Sequence, residues 1–198
     1  VVDPEEFQNV LAKACDVTFS RVDSDACMST NDTVIAMASG ACGISLTGDE
    51  LTDALTKLCA ILARQLVADA EGSRHDVKVA VTGATSTEAA VAVAREVTRS
   101  NLVKTAVAGN DPNWGRILAA VGCVREDVAP FDPDQVDVSI NGIQVCKAGG
   151  IGEDRNLVDM GPREVHIDIE LHAGHAEAAV WTNDLTHQYV EENSAYTS

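Results

Sequence analysis

A chain of 198 residues with 45% hydrophobic residues is long enough to bury a sizeable core and too apolar to be a disordered tail. Its 14 basic residues stand against 31 acidic ones, a net charge of −17, which argues against a nucleic-acid face and against attraction to an anionic membrane surface. No apolar run approaches the ~20 residues that span a bilayer and no basic-then-apolar leader opens the chain, so the expectation is a soluble, cytoplasmic protein.

The first element is announced by Asp3-Pro4-Glu5-Glu6, an N-cap, a first-turn proline and acids that complement the helix dipole. Phe7, Val10, Leu11 and Ala14 then follow helical spacing. Ser29-Thr30-Asn31-Asp32 are four capping residue types in a row and predict a short, largely buried helix from about Thr33 to Ser39, stopped by Gly40. The functional alternative is that these short polar groups line a pocket.

Thr47 and Glu50 form a capping-box pattern before a long helix. Leu51, Leu55, Leu58, Leu62 and Leu66 supply its expected apolar stripe, and Gly72 its stop. That leaves Glu71 at the C-terminal edge, where the dipole disfavours an acid and where a functional carboxylate can be held.

The second half interleaves strands with helices. "VKVAVTG" alternates with period two and reads as a strand. Thr85 and Glu88 suggest a second capping box for "TSTEAAVAVAREVTRS", and "LVKTAVAG" reads as a mostly apolar strand. Asp111 and Pro112 open a helix ended by Gly122. Lys104 and Arg116 flank this turn as a candidate anion cradle, but Asp111 at the cap opposes an anion, and a tightly packed strand-turn-helix is the favoured reading.

"VDVSINGIQVC" is a hairpin turning at Asn141-Gly142. "VHIDIEL" points Val165, Ile167, Ile169 and Leu171 to one face and His166, Asp168 and Glu170 to the other. "AEAAVWT", after Gly174, is expected to close another hairpin with it, and a last helix begins near Leu185. The fold class is therefore mixed α/β, with an antiparallel or mixed sheet and two packed parts that divide near Gly72.

Cys15, Cys27, Cys42, Cys59, Cys123 and Cys146 lie among small apolar residues without a C-x-x-C pair, and read as buried free thiols. His172 and His175 lack the further ligands that a metal site requires. No serine-histidine-aspartate order or paired-carboxylate motif is evident. Spacing alone does not bring Glu71, Asn193 and Ser198 together, and composition alone makes the ending "YVEENSAYTS" a frayed tail.

Three long motifs, in order, carry a resemblance that covers nearly the whole chain. "FSRVDSDACMSTNDTV", "LVKTAVAGNDPNWGRILAAVG" and "WTNDLTHQYVEENSAYTS" resemble segments of the ornithine acetyltransferase, or glutamate N-acetyltransferase, family of arginine biosynthesis. The sequence departs from the family at Ala26, Cys27 and Met28, where Gly, Asp and Thr are usual, and at Ser73-Arg74-His75, where Ala-Thr-Lys is usual.

The resemblance implies a precursor that cuts itself before a threonine, which becomes the nucleophile at the start of the β chain. This chain looks like that β chain, with the threonine expected just upstream of Val1. No catalytic residue is therefore expected within it, and the oxyanion hole is expected on the α chain. The implied reaction moves an acetyl group from N-acetylornithine to glutamate through an acetyl-threonine, with acetyl-CoA as an open second donor and no cofactor.

The resemblance further implies substrate contacts at Glu71, Asn193 and Ser198, and an α2β2 heterotetramer with the α chain. It implies an N-terminal-nucleophile-like α/β/β/α layering completed by the α chain. Residues 1–72 would form the helical part of the lobe shared with that chain, and 73–198 a C-terminal α/β lobe. A self-processing aminopeptidase or amidase, or a non-catalytic binding subunit, is the alternative.

Overall fold

A computed structural model describes residues 3–195. Helix α1 (Pro4–Asp16) opens on Asp3, whose carboxylate accepts from the amides of Glu5 and Glu6, as the sequence suggested. Helix α2 (Gly48–Ala68) opens on the expected capping box between Thr47 and Glu50. The two helices pack through small side chains, with Val10 and Ala14 of α1 and Cys59, Ala63 and Val67 of α2 buried.

The leucine stripe does not form that contact. Leu51 and Leu55 are half-buried, and Leu58, Leu62 and Leu66 are exposed. Small residues at the seam allow close approach, which turns the larger side chains outward.

The helix expected over 33–39 is absent. These residues lie in a stretch without regular structure and are mostly exposed. Ser29 Oγ accepts from the amides of Asn31 and Asp32 in a local turn, and the β-branched run Thr33-Val34-Ile35 disfavours helix.

The sheet is built from β1 (Asp76–Ala84), β2 (Asp137–Ile140), β3 (Ile143–Lys147), β4 (Gly150–Ile151), β5 (Glu164–Glu170) and β6 (Ala176–Asn183), in the order β4-β3-β2-β5-β1-β6. The β1–β5 pair is parallel, and the other pairs are antiparallel. The β2–β3 hairpin turns at Asn141-Gly142 with φ of 47° and 83°, the left-handed pair that an Asn-Gly turn supplies. The expected β5–β6 hairpin is not formed, because β1 inserts between the two strands and takes one as a parallel and the other as an antiparallel neighbour.

Register places one apolar layer on a single face. Val79 sits beside Ile167 and Val180, and Ile167 beside Ile140. Helix α3 (Thr87–Arg99) covers this layer with Ala90, Val93, Ala94 and Val97, joined by Ile117 and Val121 of α5 (Trp114–Val121). On the other face, Lys78 aligns with His166 and Trp181, and Arg64 of α2 stacks 4.0 Å over the Trp181 ring.

Three local expectations are corrected. Ser86, not Thr85, caps α3, accepting from the amide of Ala89. "LVKTAVAG" is a helix, α4 (Asn101–Ala108), capped by Ser100, with Val103, Lys104, Ala106 and Val107 buried at helical spacing. Asn113 caps α5, and Asp111 holds that cap by accepting from Asn113 Nδ2 at 2.9 Å.

All six cysteines are free, yet Cys27, Cys42 and Cys123 are exposed, while Cys59 and Cys146 are buried. The last helix, α6 (His187–Ala195), follows β6 after a three-residue link. Among the described residues no helix is long and apolar enough to cross a membrane.

Candidate substrate-binding site

Glu71 lies on the turn between α2 and β1, exposed, next to Gly72 at φ +61°. A Cβ at Gly72 would stand 2.4 Å from the backbone nitrogen of Tyr189, so the turn packs directly on the first turn of α6. Asn193 lies one helical turn further along α6, exposed, with its Nδ2 donating to the Tyr189 carbonyl at 3.0 Å. The elements carrying Glu71 and Asn193 are thus neighbours, although their side chains share no hydrogen bond among the described residues. Ser198 lies outside the described residues.

A closed circuit of hydrogen bonds surrounds the Glu71 turn. Thr186 Oγ1 donates to the Gly72 carbonyl at 2.7 Å and accepts from the Tyr189 amide at 3.1 Å. Tyr189 reaches the other way, donating its hydroxyl to Asp25 Oδ1 at 2.9 Å. Lys104 Nζ donates to the Ser24 carbonyl, and Ser24 Oγ donates to Asn183 Oδ1 at 2.7 Å. Asn183 Nδ2 returns the circuit to the turn, donating to Ser73 Oγ at 2.9 Å and to the Val67 carbonyl at 2.6 Å.

Asp184 adds a buried anchor. Its Oδ1 accepts from the amides of Arg74 and His75, and its Oδ2 lies 2.9 Å from His75 Nδ1. Buried polar groups persist only when they are satisfied in this way, and together they fix the backbone they bridge. Ser73, Arg74 and His75, the residues that depart from the family pattern, are all parts of the anchor: Arg74 also donates to the Ala108 carbonyl at 3.1 Å.

The electrostatics are those of an acidic rim around a buried cation. Lys104 is buried, which lowers its pKa, while the carboxylates of Asp25, Asp23 and Asp184 oppose that shift. The Tyr189 phenol is pushed up to about 12 by burial, by its bond to Asp25 and by the nearby charges of Asp25 and Glu71. An exposed Glu71 beside the Asp25 segment favours a cationic group, such as the ammonium of an amino acid.

A concavity of about 500 Å³ lies between α2 and β6 and is lined by Arg21, Ala63, Arg64, Lys78, Ala179 and Trp181. Neither Glu71 nor Asn193 lines it. Arg64 there is already engaged, paired with Glu164 and stacked on Trp181. His172 Nε2 lies 2.9 Å from Asp137, an ion-pair arrangement, and no group of three or more candidate ligands is arranged for a metal among the described residues.

Sequence reading missed Asp25, Asn183, Asp184, Thr186 and Tyr189, and singled out Lys104 only as one flank of a candidate anion cradle. The signals were present as "VDSD" and "TNDLT", but the hydrogen bonds join residues up to 164 positions apart, which no local period reveals.

Together these features define a mixed α/β protein with an acidic, hydrogen-bonded rim at the junction of β6, α6 and the α2–β1 turn. Residues 1–198 match the ArgJ family, and the chain belongs to it. It is 53% identical over its whole length to the arginine biosynthesis bifunctional protein ArgJ of Bifidobacterium longum, and 52% identical to that of Streptomyces avermitilis, covering 51% of each. The chain therefore spans about half the length of these relatives. The crystal structure of the arginine biosynthesis bifunctional protein ArgJ from Bacillus halodurans superposes with a TM-score of 0.90 at 33% identity, covering 98% of this chain and 95% of that one.

Proposed function

We propose that this chain is the β chain of a self-processed acetyltransferase that moves the acetyl group of N-acetylornithine to glutamate. The observation that carries the reading is a mismatch of lengths. The chain is half of each full relative, yet nearly coextensive with a chain of the Bacillus halodurans structure, as expected where one precursor yields two chains.

Exposed apolar side chains on the 27–46 stretch and on α2 support a missing partner. Ile35, Met37 and Ile44 are 74%, 91% and 65% exposed, and Ile61 and Leu66 of α2 are 58% and 61% exposed. Soluble proteins cover faces of this kind, and the α chain of the same precursor is the proposed cover. Residues 1–72 then belong to a lobe shared with the α chain, in an N-terminal-nucleophile-like α/β/β/α arrangement, and 73–198 to a C-terminal lobe. The assembly is an α2β2 heterotetramer.

The chemistry is a double displacement. The hydroxyl of a threonine upstream of Val1 attacks the acetyl carbonyl, the C–N bond breaks, and ornithine leaves with its amine protonated. Donors on the α chain stabilise the tetrahedral oxyanion. The amine of glutamate then attacks the acetyl ester, the C–O bond breaks, and the threonine hydroxyl regains its proton. Acetyl-CoA is a second donor candidate for the same ester.

The role of this chain is to hold the substrate. Glu71 meets the distal ammonium of ornithine, while Asn193 and Ser198 orient the α-amino acid end by hydrogen bonds. The test is intact-mass analysis of the mature enzyme incubated with N-acetylornithine and no glutamate. An acetylated β chain that loses its label on adding glutamate supports the reading; a β chain that never acquires acetyl contradicts it.

A further inference from the structure

We propose that Lys104 is the positioning residue of the amino-acid site. This rests on the reading of Glu71 as a substrate contact, and it assigns a role to a buried cation that the reaction scheme leaves idle. Lys104 projects from α4 and donates to the Ser24 carbonyl, so it ties α4 to the Asp23-Ser24-Asp25 segment. Its own carbonyl accepts from the amide of Leu185 at 3.2 Å, tying α4 to the link between β6 and α6.

Both tied segments carry a wall of the site. Asp25 receives the Tyr189 hydroxyl, and Thr186, one residue beyond Leu185, receives the Tyr189 amide and donates to the Gly72 carbonyl. Lys104 also supplies a positive charge amid Asp23, Asp25 and Asp184. Arg99 pairs with Asp23 at 2.7 Å and His75 Nδ1 lies 2.9 Å from Asp184, whereas among the described residues no ion pair within 4.0 Å engages Asp25.

A buried ammonium with this set of partners is costly to desolvate. Its geometry matches a task of holding two walls of the site at a fixed distance. Removing it releases the Asp25 segment, lets Tyr189 relax, and shifts the Glu71 turn that packs on the Tyr189 backbone. The effect falls on substrate binding, because Lys104 acts through the Asp25 segment and the Glu71 turn.

The experiment uses the mature two-chain enzyme. Lys104→Met, Lys104→Arg, Tyr189→Phe and the Lys104→Met/Tyr189→Phe double variant are assayed for acetyl transfer from N-acetylornithine to glutamate. Lys104→Met is expected to raise KM for N-acetylornithine about tenfold, the scale of one lost charge-assisted hydrogen bond, with kcat changed less than about threefold. Lys104→Arg recovers part of the loss, and Tyr189→Phe raises KM more mildly.

The double variant is expected to fall short of the product of the two single effects, because both act through the Asp25 segment. An unchanged KM in Lys104→Met overturns the inference, as does a loss confined to kcat, or fully multiplicative single effects. If Lys104→Met does not fold, Tyr189→Phe and Asp25→Asn carry the test: both must raise KM, and normal KM in both overturns it. Glu71→Gln is measured in parallel. A normal KM there removes the substrate-site reading itself, whereas a raised KM there with a normal KM in Lys104→Met removes only the role of Lys104.

Discussion

Tyr189 stands where the candidate site is most sensitive, with its amide on Thr186, its hydroxyl on Asp25 and its backbone against Gly72. Burial and the two neighbouring carboxylates disfavour the phenolate, which raises its pKa to about 12. The folded state therefore keeps the proton longer than the unfolded chain, whose tyrosine titrates near 10. The stability this contributes is intact below about pH 10 and is lost as pH rises toward 12. Difference titration of phenolate absorbance between the protein and Tyr189→Phe is expected to show a midpoint well above 10, and Asp25→Asn is expected to lower it. A midpoint at the ordinary tyrosine value contradicts the described environment.

At this scale Glu71 and Asn193 enter the proposed site only through the family motifs. Each is exposed, and among the described residues neither side chain bonds to a distant segment, so neither has a local sequence signature. The circuit that frames them was not legible, since its members come from segments near 24, 72, 104, 184 and 189 and acquire meaning only when the sheet brings them together.

The elements were read most surely where a cap and a period agree. Asp3 and the Thr47–Glu50 box mark real helix starts, and β5 alternates as written. "LVKTAVAG" was misread because a short apolar run fits a strand and a buried helix equally; the cap that decides, Ser100, precedes the run. The β5–β6 pairing failed for a topological reason, because a sequence-local hairpin competes with a strand whose register partners lie 88 positions earlier (Asp76 beside Glu164), and the apolar face of β1 satisfies both neighbours.

Two substitutions test the element scale. Thr47→Ala removes an exposed cap and is expected to cost about 1 kcal/mol in chemical denaturation. Gly72→Ala is expected to cost more, because the residue sits at φ +61° and a methyl there meets the Tyr189 backbone at 2.4 Å. The same substitution displaces α6 from the Glu71 turn, so KM for N-acetylornithine rises with it. Wild-type stability in Gly72→Ala contradicts the close packing of turn and helix.

For the whole molecule, the sheet and its helical cover close one core, while the 27–46 stretch and the outer leucines of α2 remain uncovered. The exposed stretch carries the apolar side chains Val34, Ile35 and Met37, which suit burial; under the proposed two-chain assembly the α chain supplies the surface that covers them. Hydrophobic-dye binding is expected to be strong for the chain alone and to fall when the α chain is present; equal binding in both contradicts a shared apolar interface.

The most direct measurement is the fate of the acetyl group when the mature two-chain enzyme receives N-acetylornithine and glutamate together. Acetylglutamate formed in step with ornithine, with little free acetate, is the predicted result. Ornithine released with acetate and no acetylglutamate would contradict the assignment of a transferase and point to a hydrolase instead.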